Sequence, residues 1–342
     1  MSRFKEITIS GSPGDRGQMH GQILSKEIRQ TLKYYRSIFD LPEHRLLELG
    51  EYYLGLITAF NVKFAQEIGG IAEGAGIDPR WVAVLNSRTE ILSYRYASSP
   101  MECTSLFSRP TAVLGQNWDW ASTLEDLVVV MKINLPEGHV IRMLTEPGII
   151  GKIGLNSAGL GVCLNILTIN RPLKGIPVHV VLRGILESRS LDQARKVVEQ
   201  AGCEKASSIL VGHARGEGFN VEFAGGRNVF LDEAADIMLH TNHYLHDPIN
   251  LPEDPDFASS YAREEVVLQR LALLDDLSRE NMAEILSDRS NRDFPVLRDY
   301  RPDPKLQRLG TVCSIIMELK TRTMSIRKGD HATGDFVEYP AI

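Results

Sequence analysis

The spacing of apolar residues changes at Cys103, and this change limits what the chain can fold into. Before it, Leu24 and Ile28 are typical of many apolar residues that recur with the period of an amphipathic helix. After it, short strand-like runs follow one another, separated by turns rich in Gly, Pro and Asn. We therefore predict a mainly helical segment over residues 1–102 and a strand-rich segment over residues 103–342.

The order of the predicted elements indicates antiparallel sheets covered by helices. A short strand is predicted over residues 4–9, and Ser12-Pro13 is typical of a helix start. Blocks of strands with helices between the blocks fit a layered α+β protein better than a strict alternation of strand and helix. Further helices are predicted over residues 13–39, 46–56, 57–75, 79–92, 177–187, 191–201, 259–274 and 282–286. Further strands are predicted over residues 104–108, 111–116, 128–134, 140–145, 159–165, 208–214, 219–223, 311–318 and 323–327.

The composition argues against several classes of function. The formal net charge is −6 and Lys and Arg are scattered, so we expect no binding to nucleic acid or to an anionic membrane. Residues 1–6 lack the apolar core of a secretion signal, and no apolar run is long enough to span a bilayer. The four cysteines are widely spaced and form no Cys-x-x-Cys pair, which indicates reduced thiols in a cytoplasmic protein.

Cys103 has a position that allows self-cleavage. A cysteine at the start of a strand can attack the carbonyl of the residue before it, which here is Glu102. Cleavage of the Glu102–Cys103 bond would make Cys103 a new N-terminus. One residue would then carry a thiol nucleophile and an α-amine base.

Asp119 is a candidate partner for that amine. Hairpin pairing of the predicted strands 104–108 and 111–116 brings Asp119 towards Cys103. A carboxylate there can accept a hydrogen bond from the α-ammonium group, whose pKa of roughly 7.7–8.0 suits a base near neutral pH. The alternative is an aspartate that caps a turn between two buried tryptophans.

The segment from His240 to His246 offers two further kinds of site. Asn242 follows an apolar run and could stabilise an oxyanion with its amide, but taken in isolation its position is more typical of a turn residue. His240, His243 and His246 are spaced three apart, which makes a metal site conceivable. That spacing does not place three imidazoles on one face of a strand, so we predict no metal.

Other motifs are either ambiguous or absent. Arg263 lies near the start of a predicted helix, where it could orient the nucleophile or be a solvated arginine. Gly148, Gly151 and Gly154 do not match a dinucleotide or phosphate loop, so no cofactor is predicted. No Gly-x-Ser-x-Gly sequence is present, which argues against a serine hydrolase.

Taken together, segments along most of the chain resemble the N-terminal nucleophile (Ntn) hydrolases related to acyl-coenzyme A:6-aminopenicillanic acid acyltransferase. The similarity extends, more distantly, to choloylglycine hydrolases and penicillin V acylase. The segments that carry it are Gly11-Ser12-Pro13, Arg16-Gly17, His20-Gly21, residues 70–79, Asn86-Ser87-Arg88-Thr89-Glu90, Cys103-Thr104-Ser105, Asn117-Trp118-Asp119, Thr145-Glu146, Gly159-Leu160, Thr241-Asn242 and Ser260 with Arg263.

The resemblance implies a four-layer αββα sandwich that cleaves itself before Cys103 and keeps its N-terminal helical part as a separate subunit. It also implies a role for each of five site residues. Cys103 is the nucleophile and Asp119 positions its amine. Asn242 supplies one oxyanion donor, a backbone N–H beside Asn165 supplies the second, and Arg263 matches a site arginine.

Residues around these positions are expected to contact the substrate, namely Gln116, Asn117, Trp118 and His243. Gln116 replaces an arginine of the bile-salt hydrolases, and Glu102 replaces the glycine that precedes the nucleophile in the penicillin enzyme.

The function predicted on this basis is hydrolysis of a non-peptide C–N amide bond in a small N-acyl compound, through an acyl-enzyme on Cys103. The predicted partners are this substrate and the chain's own cleaved N-terminal fragment, as a heterodimer. Three alternatives remain open: an acyltransferase that passes the acyl group to an amine, a non-catalytic binding protein on the same scaffold, and a metal-dependent amidohydrolase that uses the three histidines.

Overall fold

A computed structural model describes residues 3–93, 103–167, 169, 173–224, 226–231, 235–246, 258–331 and 334–342. Its helices are α1 (Pro13–Ile23), α2 (Ser25–Phe39), α3 (Glu43–Phe60), α4 (Val62–Ala75), α5 (Pro79–Asn86), α6 (Arg88–Ser93), α7 (Val178–Glu187), α8 (Leu191–Gln200), α9 (Ala258–Leu271) and α10 (Arg279–Ile285). Its strands are β1 (Lys5–Ser10), β2 (Cys103–Ser108), β3 (Val113–Ala121), β4 (Val129–Asn134), β5 (Val140–Thr145), β6 (Ile153–Asn156), β7 (Leu160–Ile166), β8 (Ala206–His213), β9 (Gly218–Ala224), β10 (Asn228–Leu231), β11 (Ile237–His240), β12 (Arg301–Asp303), β13 (Gln307–Glu318), β14 (Thr323–Lys328) and β15 (Val337–Tyr339).

The strands form two mainly antiparallel sheets. The eight-stranded sheet has the order β1-β4-β5-β6-β7-β8-β9-β10, in which only the β1–β4 pair is parallel. The seven-stranded sheet has the order β11-β2-β3-β13-β14-β15, with β12 paired to β13. Every residue of β2 and β3 is buried, because this sheet has the other sheet on one face and helices on the opposite face.

Side chains that alternate along β2 show how the layers meet. Phe107 points to the eight-stranded sheet and lies against Gly212 of β8, where a Cβ atom would come within 2.5 Å of the ring. Leu106 points the other way and packs with Val267 and Met282 of α9 and α10. On the far side of the eight-stranded sheet, α7 covers β6 and β7. The layers therefore follow the predicted order αββα.

The N-terminal segment shares both the sheet and the core of the rest of the chain. Its strand β1 pairs with β4, from Lys5 opposite Val129 onwards. Buried Glu67 of α4 accepts hydrogen bonds from Arg16 of α1 (2.9 Å) and from Arg183 of α7 (2.8 Å). A subunit boundary before Cys103 remains a prediction, but the two segments do not have independent cores.

The structure corrects several predicted bounds. The predicted helix 13–39 is two helices that meet at Leu24, and the predicted strand 111–116 extends through Asp119 to Ala121. The sequence does not predict strands β6, β10, β12 and β15, and it indicates β11 only as an apolar run before Asn242. Both sides of β3 are buried, so it lacks the apolar–polar alternation that reveals a half-exposed strand. Among the described residues, no helix is both long and apolar enough to cross a bilayer.

Candidate active site

Cys103 begins β2 and lies directly opposite Trp118 of β3, so the predicted hairpin is confirmed and Asp119 lies beside the thiol. The side chain is 3% exposed. Burial, and then the nearby Asp119 carboxyl, raise the pKa of the Cys103 thiol to about 11. The thiol is therefore protonated near neutral pH, and it needs a base before it can act as a nucleophile. The other predicted cleavage residue, Glu102, lies outside the described residues.

Two side chains hold the backbone of Cys103 on both sides. The Cys103 N–H donates to Oδ1 of Asn242 (2.7 Å), and the Cys103 carbonyl accepts from Nη1 of Arg263 (2.6 Å). Arg263 also donates to Thr104 Oγ1 (2.8 Å) and, through Nη2, to Asn242 Oδ1 (2.9 Å). The guanidinium is fully buried. This planar group thus connects the nucleophile to Asn242 in one fixed arrangement.

The local fold explains why Asn242 reaches Cys103. Strand β11 pairs antiparallel with β2, and His240 lies opposite Ser105. Asn242 lies two residues after His240, and Cys103 lies two residues before Ser105. In an antiparallel pair, this register brings Asn242 and Cys103 opposite each other. The backbone N–H of Asn242 donates to Ser260 Oγ (2.7 Å), which attaches this turn to α9.

Asp119 has one occupied and one vacant carboxyl oxygen. Oδ1 accepts a hydrogen bond from Thr311 Oγ1 (2.7 Å), whereas buried Oδ2 has no hydrogen-bond partner among the described residues. Burial raises the pKa of Asp119 to about 7, although Arg263 and Thr311 act in the opposite direction. A buried acceptor without a partner is costly, and it is an available position for a new donor.

Two predicted residues link the sheets beneath Cys103. Gln116 donates to the carbonyl of Leu164 (2.6 Å) and accepts from its N–H (3.0 Å). Asn165 accepts from Ser105 Oγ (2.6 Å) and donates to the carbonyl of His240 (3.0 Å). The uncharged Gln116 thus satisfies both backbone hydrogen-bonding groups of Leu164 in β7.

The structure does not bring Asn117 to the nucleophile. Asn117 points to the layer that covers the outer face of this sheet. Its amide nitrogen donates to the carbonyls of Leu286 (2.9 Å) and Val296 (2.8 Å) in the outer helical layer. These bonds give Asn117 a structural position, and the predicted substrate contact through this side chain is not supported.

The histidines of the His240–His246 segment have separate partners. His240 Nε2 lies 2.8 Å from a carboxylate oxygen of Glu222. His243 contacts Ser260 Oγ (2.9 Å) through Nδ1, and its ring stacks on Tyr261. The described residues contain no group of three His, Cys, Asp or Glu side chains that could hold a metal. The metal-dependent alternative therefore lacks a ligand cluster in this part of the chain.

A small cavity adjoins Cys103 and contains residues that the sequence analysis did not assign to the site. It encloses about 20 Å³, and it is lined by Trp118, Asp119, Trp120, Arg88 and Lys152 among others. Arg88 begins α6, and Lys152 immediately precedes β6. In the sequence, Arg88 lies in one of the segments that resemble the family, but that resemblance does not indicate a role for its side chain. No sequence pattern points to Lys152.

We expect Gln116→Leu to destabilise the protein. The substitution leaves both backbone groups of Leu164 buried without their partners, which should lower the free energy of unfolding by about 1–3 kcal/mol per lost polar partner. Urea unfolding of this variant beside Gln269→Leu, at an exposed position, measures the effect. Equal stability of the two variants would show that the bridge contributes nothing.

Comparison with known proteins gives one family. A family model described as acyl-coenzyme A:6-aminopenicillanic acid acyl-transferase matches residues 108–333. The 40 kDa form of acyl-coenzyme A:6-aminopenicillanic-acid-acyltransferase from Emericella nidulans is 31% identical over 339 residues, which cover 94% of this chain and 92% of that protein.

One solved structure supports the fold. A single-residue variant of conjugated bile acid hydrolase from Clostridium perfringens has a TM-score of 0.50 at 13% identity, over 69% of this chain and 92% of the other. Penicillin V acylase from Agrobacterium tumefaciens has a TM-score of 0.37 at 9% identity, over 70% of this chain and 86% of the other. The predicted Ntn-hydrolase sandwich with an N-terminal helical segment is confirmed by the two sheets and by the first of these structures.

Proposed function

Because the chain belongs to the acyl-coenzyme A:6-aminopenicillanic acid acyl-transferase family, a family of enzymes with the Ntn-hydrolase fold, we propose that it is a self-processing amidase. In this proposal Cys103 first cleaves its own backbone after Glu102. The mature enzyme then hydrolyses the C–N amide bond of a small N-acyl compound through an acyl-enzyme on the Cys103 sulfur.

The observation that carries the proposal is the vacant Asp119 oxygen beside a fixed Cys103 backbone. Asn242 and Arg263 hold the nitrogen and the carbonyl of Cys103. Asp119 Oδ2 has no partner among the described residues, although it is buried. Cleavage would turn the Cys103 amide into an ammonium with additional donors, and a carboxylate would stabilise it.

The self-cleavage step consists of an acyl shift and a hydrolysis. The Cys103 sulfur attacks the Glu102 carbonyl carbon, and the thiol proton passes to the nitrogen that leaves. This forms a thioester and frees the α-amine of Cys103. Water then attacks the thioester, so that Glu102 gains a carboxylate and Cys103 regains its thiol. The Asn242 and Arg263 contacts keep the Cys103 backbone in place during both changes.

Turnover uses the same sulfur, and the α-amine that cleavage has freed is its base. The α-amine takes the thiol proton, the thiolate attacks the substrate carbonyl, and the released amine product receives the proton. The amide nitrogen of Asn242 carries two hydrogens, one of which is bound to the carbonyl of Ile166 (2.8 Å). The second hydrogen is available for the substrate oxyanion. A backbone N–H beside Asn165 is the proposed second donor.

Water resolves the acyl-enzyme in this proposal, which makes the protein a hydrolase. The relative from Emericella nidulans is named as an acyltransferase, and that name favours acyl transfer to an amine as the second candidate. The two outcomes share every residue named above, and they differ only in the acceptor that enters after the first amine has left.

The proposed function is tested by incubating purified protein with a panel of N-acyl amines, N-acyl amino acids and lactams. Free amine release is the measurement, and a second amine is added in parallel to detect transfer. We expect release from some members of the panel by the cleaved protein. Absence of release from every compound, by protein that mass analysis shows to be cleaved at Cys103, would contradict the proposal.

The raised pKa of Asp119 predicts how stability depends on pH in the uncleaved Cys103→Ala protein. Between about pH 4 and pH 7 the folded chain keeps a proton that unfolded Asp119 has lost, so the free energy of unfolding falls as pH rises through this window. Asp119→Asn in that background removes this contribution. We expect the free energy of unfolding of the double variant, minus that of the Cys103→Ala protein, to rise by about 2 kcal/mol from about pH 5 to pH 8.

Chemical denaturation at both pH values, with exposed Asp126→Asn in the same background as the matched control, measures the difference. If the free energies of unfolding of the Asp119→Asn and Asp126→Asn variants change equally between the two pH values, the carboxyl of Asp119 is not titrating near neutral pH.

A further inference from the structure

An irregularity in the pairing of β13 with β3 places Thr311 beside Asp119. Thr311 lies directly opposite Asp119. The next pair along the two strands is Cys313 with Trp118, which leaves Val312 as one extra residue on β13. In a regular ladder that continues from Cys313, Val312 would lie opposite Asp119, and a valine side chain has no hydrogen-bond donor. Such a β-bulge often re-aims a side chain next to an active site, and here it gives Asp119 a hydroxyl neighbour.

The backbone around the bulge is fixed by hydrogen bonds. The carbonyl of Val312 accepts from the N–H of Gly329 (2.8 Å), and the N–H of Thr311 donates to the carbonyl of Arg298 (3.0 Å). The exposed fractions of Thr311 and Asp119 are 0% and 1%. Because these buried backbone groups have partners, the bulge is a stable part of the strand and the position of Thr311 is well defined.

The two hydrogen bonds of the Thr311 hydroxyl determine its direction. Its oxygen accepts from the backbone N–H of Arg298 (2.9 Å), and its single hydrogen is donated to Oδ1 of Asp119 (2.7 Å). Oδ1 of Asp119 therefore acts as an acceptor. The other oxygen, Oδ2, is buried and has no hydrogen-bond partner among the described residues, so it is the position for a proton or for a new donor.

This division between the two oxygens matters because Asp119 and Cys103 line the same small cavity. In the proposed mechanism the carboxylate holds the α-amine of Cys103, and that task depends on how the carboxylate is oriented. A carboxylate that turns about its bond to Cβ has no fixed acceptor for the amine. A hydroxyl that holds one oxygen removes this freedom before the reaction begins.

We propose that Thr311 is the positioning residue for Asp119: it holds Oδ1, so that Oδ2 accepts from the α-amine of Cys103 in the cleaved enzyme. The inference rests on the proposed function and deepens it by adding a residue to the group that prepares the nucleophile. Thr311 does not line the cavity beside Cys103, so it acts through Asp119 and not on the substrate.

Thr311→Val tests the proposal, because it removes the hydroxyl, keeps the shape of the side chain and suits a strand. A hydrogen bond to a charged group is worth about 10- to 100-fold, so we expect kcat per cleaved protein to fall by that factor while KM changes less than about threefold. Thr311→Ser keeps the hydroxyl and should retain kcat within about threefold of the wild-type value. Equal kcat for Thr311→Val and Thr311→Ser would overturn the proposal.

Ser314→Ala is the matched control, since it removes another buried hydroxyl from the same strand. Ser314 Oγ accepts from Nη2 of Arg327 (2.8 Å), and Ser314 does not line the cavity beside Cys103. This variant should keep kcat near the wild-type value. An equal loss of kcat in Ser314→Ala and Thr311→Val would show that both hydroxyls only support the fold.

A titration of Asp119 keeps the test independent of cleavage and of turnover. Uncleaved Cys103→Ala protein is labelled with ¹³C in its aspartate carboxyl groups, and the NMR signal of Asp119 is the one that Asp119→Asn removes. Burial raises the pKa of Asp119 to about 7, whereas Arg263 and the Thr311 hydroxyl act in the opposite direction. Without the hydroxyl the carboxylate is less stable, so Thr311→Val should raise the titration midpoint by about one pH unit and Thr311→Ser should leave it unchanged.

Other charged or titratable groups also surround Asp119, but the two Thr311 variants share them, so a difference between the variants reports the hydroxyl. These groups are Arg263 of α9, Cys313 of β13, Arg88 of α6 and Lys152 before β6, while Cys103 of β2 is replaced in this background. Equal midpoints for Thr311→Val and Thr311→Ser would contradict the role of Thr311 alone. A raised midpoint in Thr311→Val, with no turnover of any N-acyl compound by cleaved wild-type protein, would contradict the proposed function alone.

Discussion

Cys103→Ala protein is expected to remain a single chain of 38.2 kDa and to release no amine from any N-acyl compound. Wild-type protein should give two fragments, residues 1–102 and residues 103–342, with Cys103 at the start of the second. The reason is that one sulfur performs both reactions, and alanine has neither a nucleophile nor a proton to transfer. Intact mass and N-terminal sequencing measure the cleavage, and amine release measures turnover.

Cys203→Ala is the matched control for this prediction. Cys203 is a free, half-buried cysteine that follows α8 and is not part of the cavity beside Cys103. This variant should cleave and turn over like the wild type. Cys103→Ser adds a graded case, since its hydroxyl is a weaker nucleophile and should slow both reactions. A wild-type protein that is fully active while residues 102 and 103 are still joined would contradict the mechanism.

The contacts of the N-terminal segment predict that the two fragments stay together. Glu67 lies before the proposed cleavage point, and it forms an ion pair with Arg183, which lies after that point. Tyr35 likewise donates to Glu146, and β1 remains paired with β4. Wild-type protein should therefore elute as one species in size-exclusion chromatography, although a denaturing gel separates it into two bands.

The chain position of Cys103 and Asp119 explains why sequence alone could predict their proximity. They belong to consecutive strands, and a hairpin between neighbouring strands fixes which residues face each other. Asn242 lies far along the chain, and its role came from the family resemblance. The register of β11 on β2 supplies the physical reason for its position.

Other features of the site could not be predicted, for two physical reasons. Neighbouring residues of one strand can have different environments, as Asn117 in the outer layer and Trp118 in the cavity do, and a motif does not reveal which of them faces the cavity. The cluster of Arg88, Glu146 and Lys152 joins elements that are distant in sequence, and a lone lysine before a strand has no periodic signal.

Asn242→Ala is expected to lower kcat of the folded protein by about a hundred- to a thousandfold, and to lower the free energy of unfolding by about 1–3 kcal/mol for each buried polar partner that it leaves unpaired. In the structure, Asn242 Oδ1 accepts from the Cys103 nitrogen and from Arg263, and its amide nitrogen has one hydrogen left for an oxyanion. Alanine removes both functions. Amine release under saturating substrate, together with thermal unfolding, measures the two effects separately.

Asn242→Asp separates the two functions of this side chain, because it keeps the oxygen acceptors and loses the amide donor. If Asn242 stabilises the oxyanion, the aspartate variant should still cleave itself to some extent while its kcat falls as far as that of Asn242→Ala. If Asn242 only positions the Cys103 nitrogen, Asn242→Asp should retain most of the wild-type kcat, which would remove the oxyanion role.

Asn156 provides the matched control, since it is also a buried asparagine whose amide nitrogen and amide oxygen both form hydrogen bonds. It donates to the carbonyls of Leu186 (2.9 Å) and Ser188 (2.8 Å) and accepts from two backbone N–H groups in its own turn. Asn156→Ala should therefore lower stability and leave kcat of the folded protein near the wild-type value. Equal kcat for Asn156→Ala and Asn242→Ala would show that the loss at Asn242 reflects structure and not chemistry.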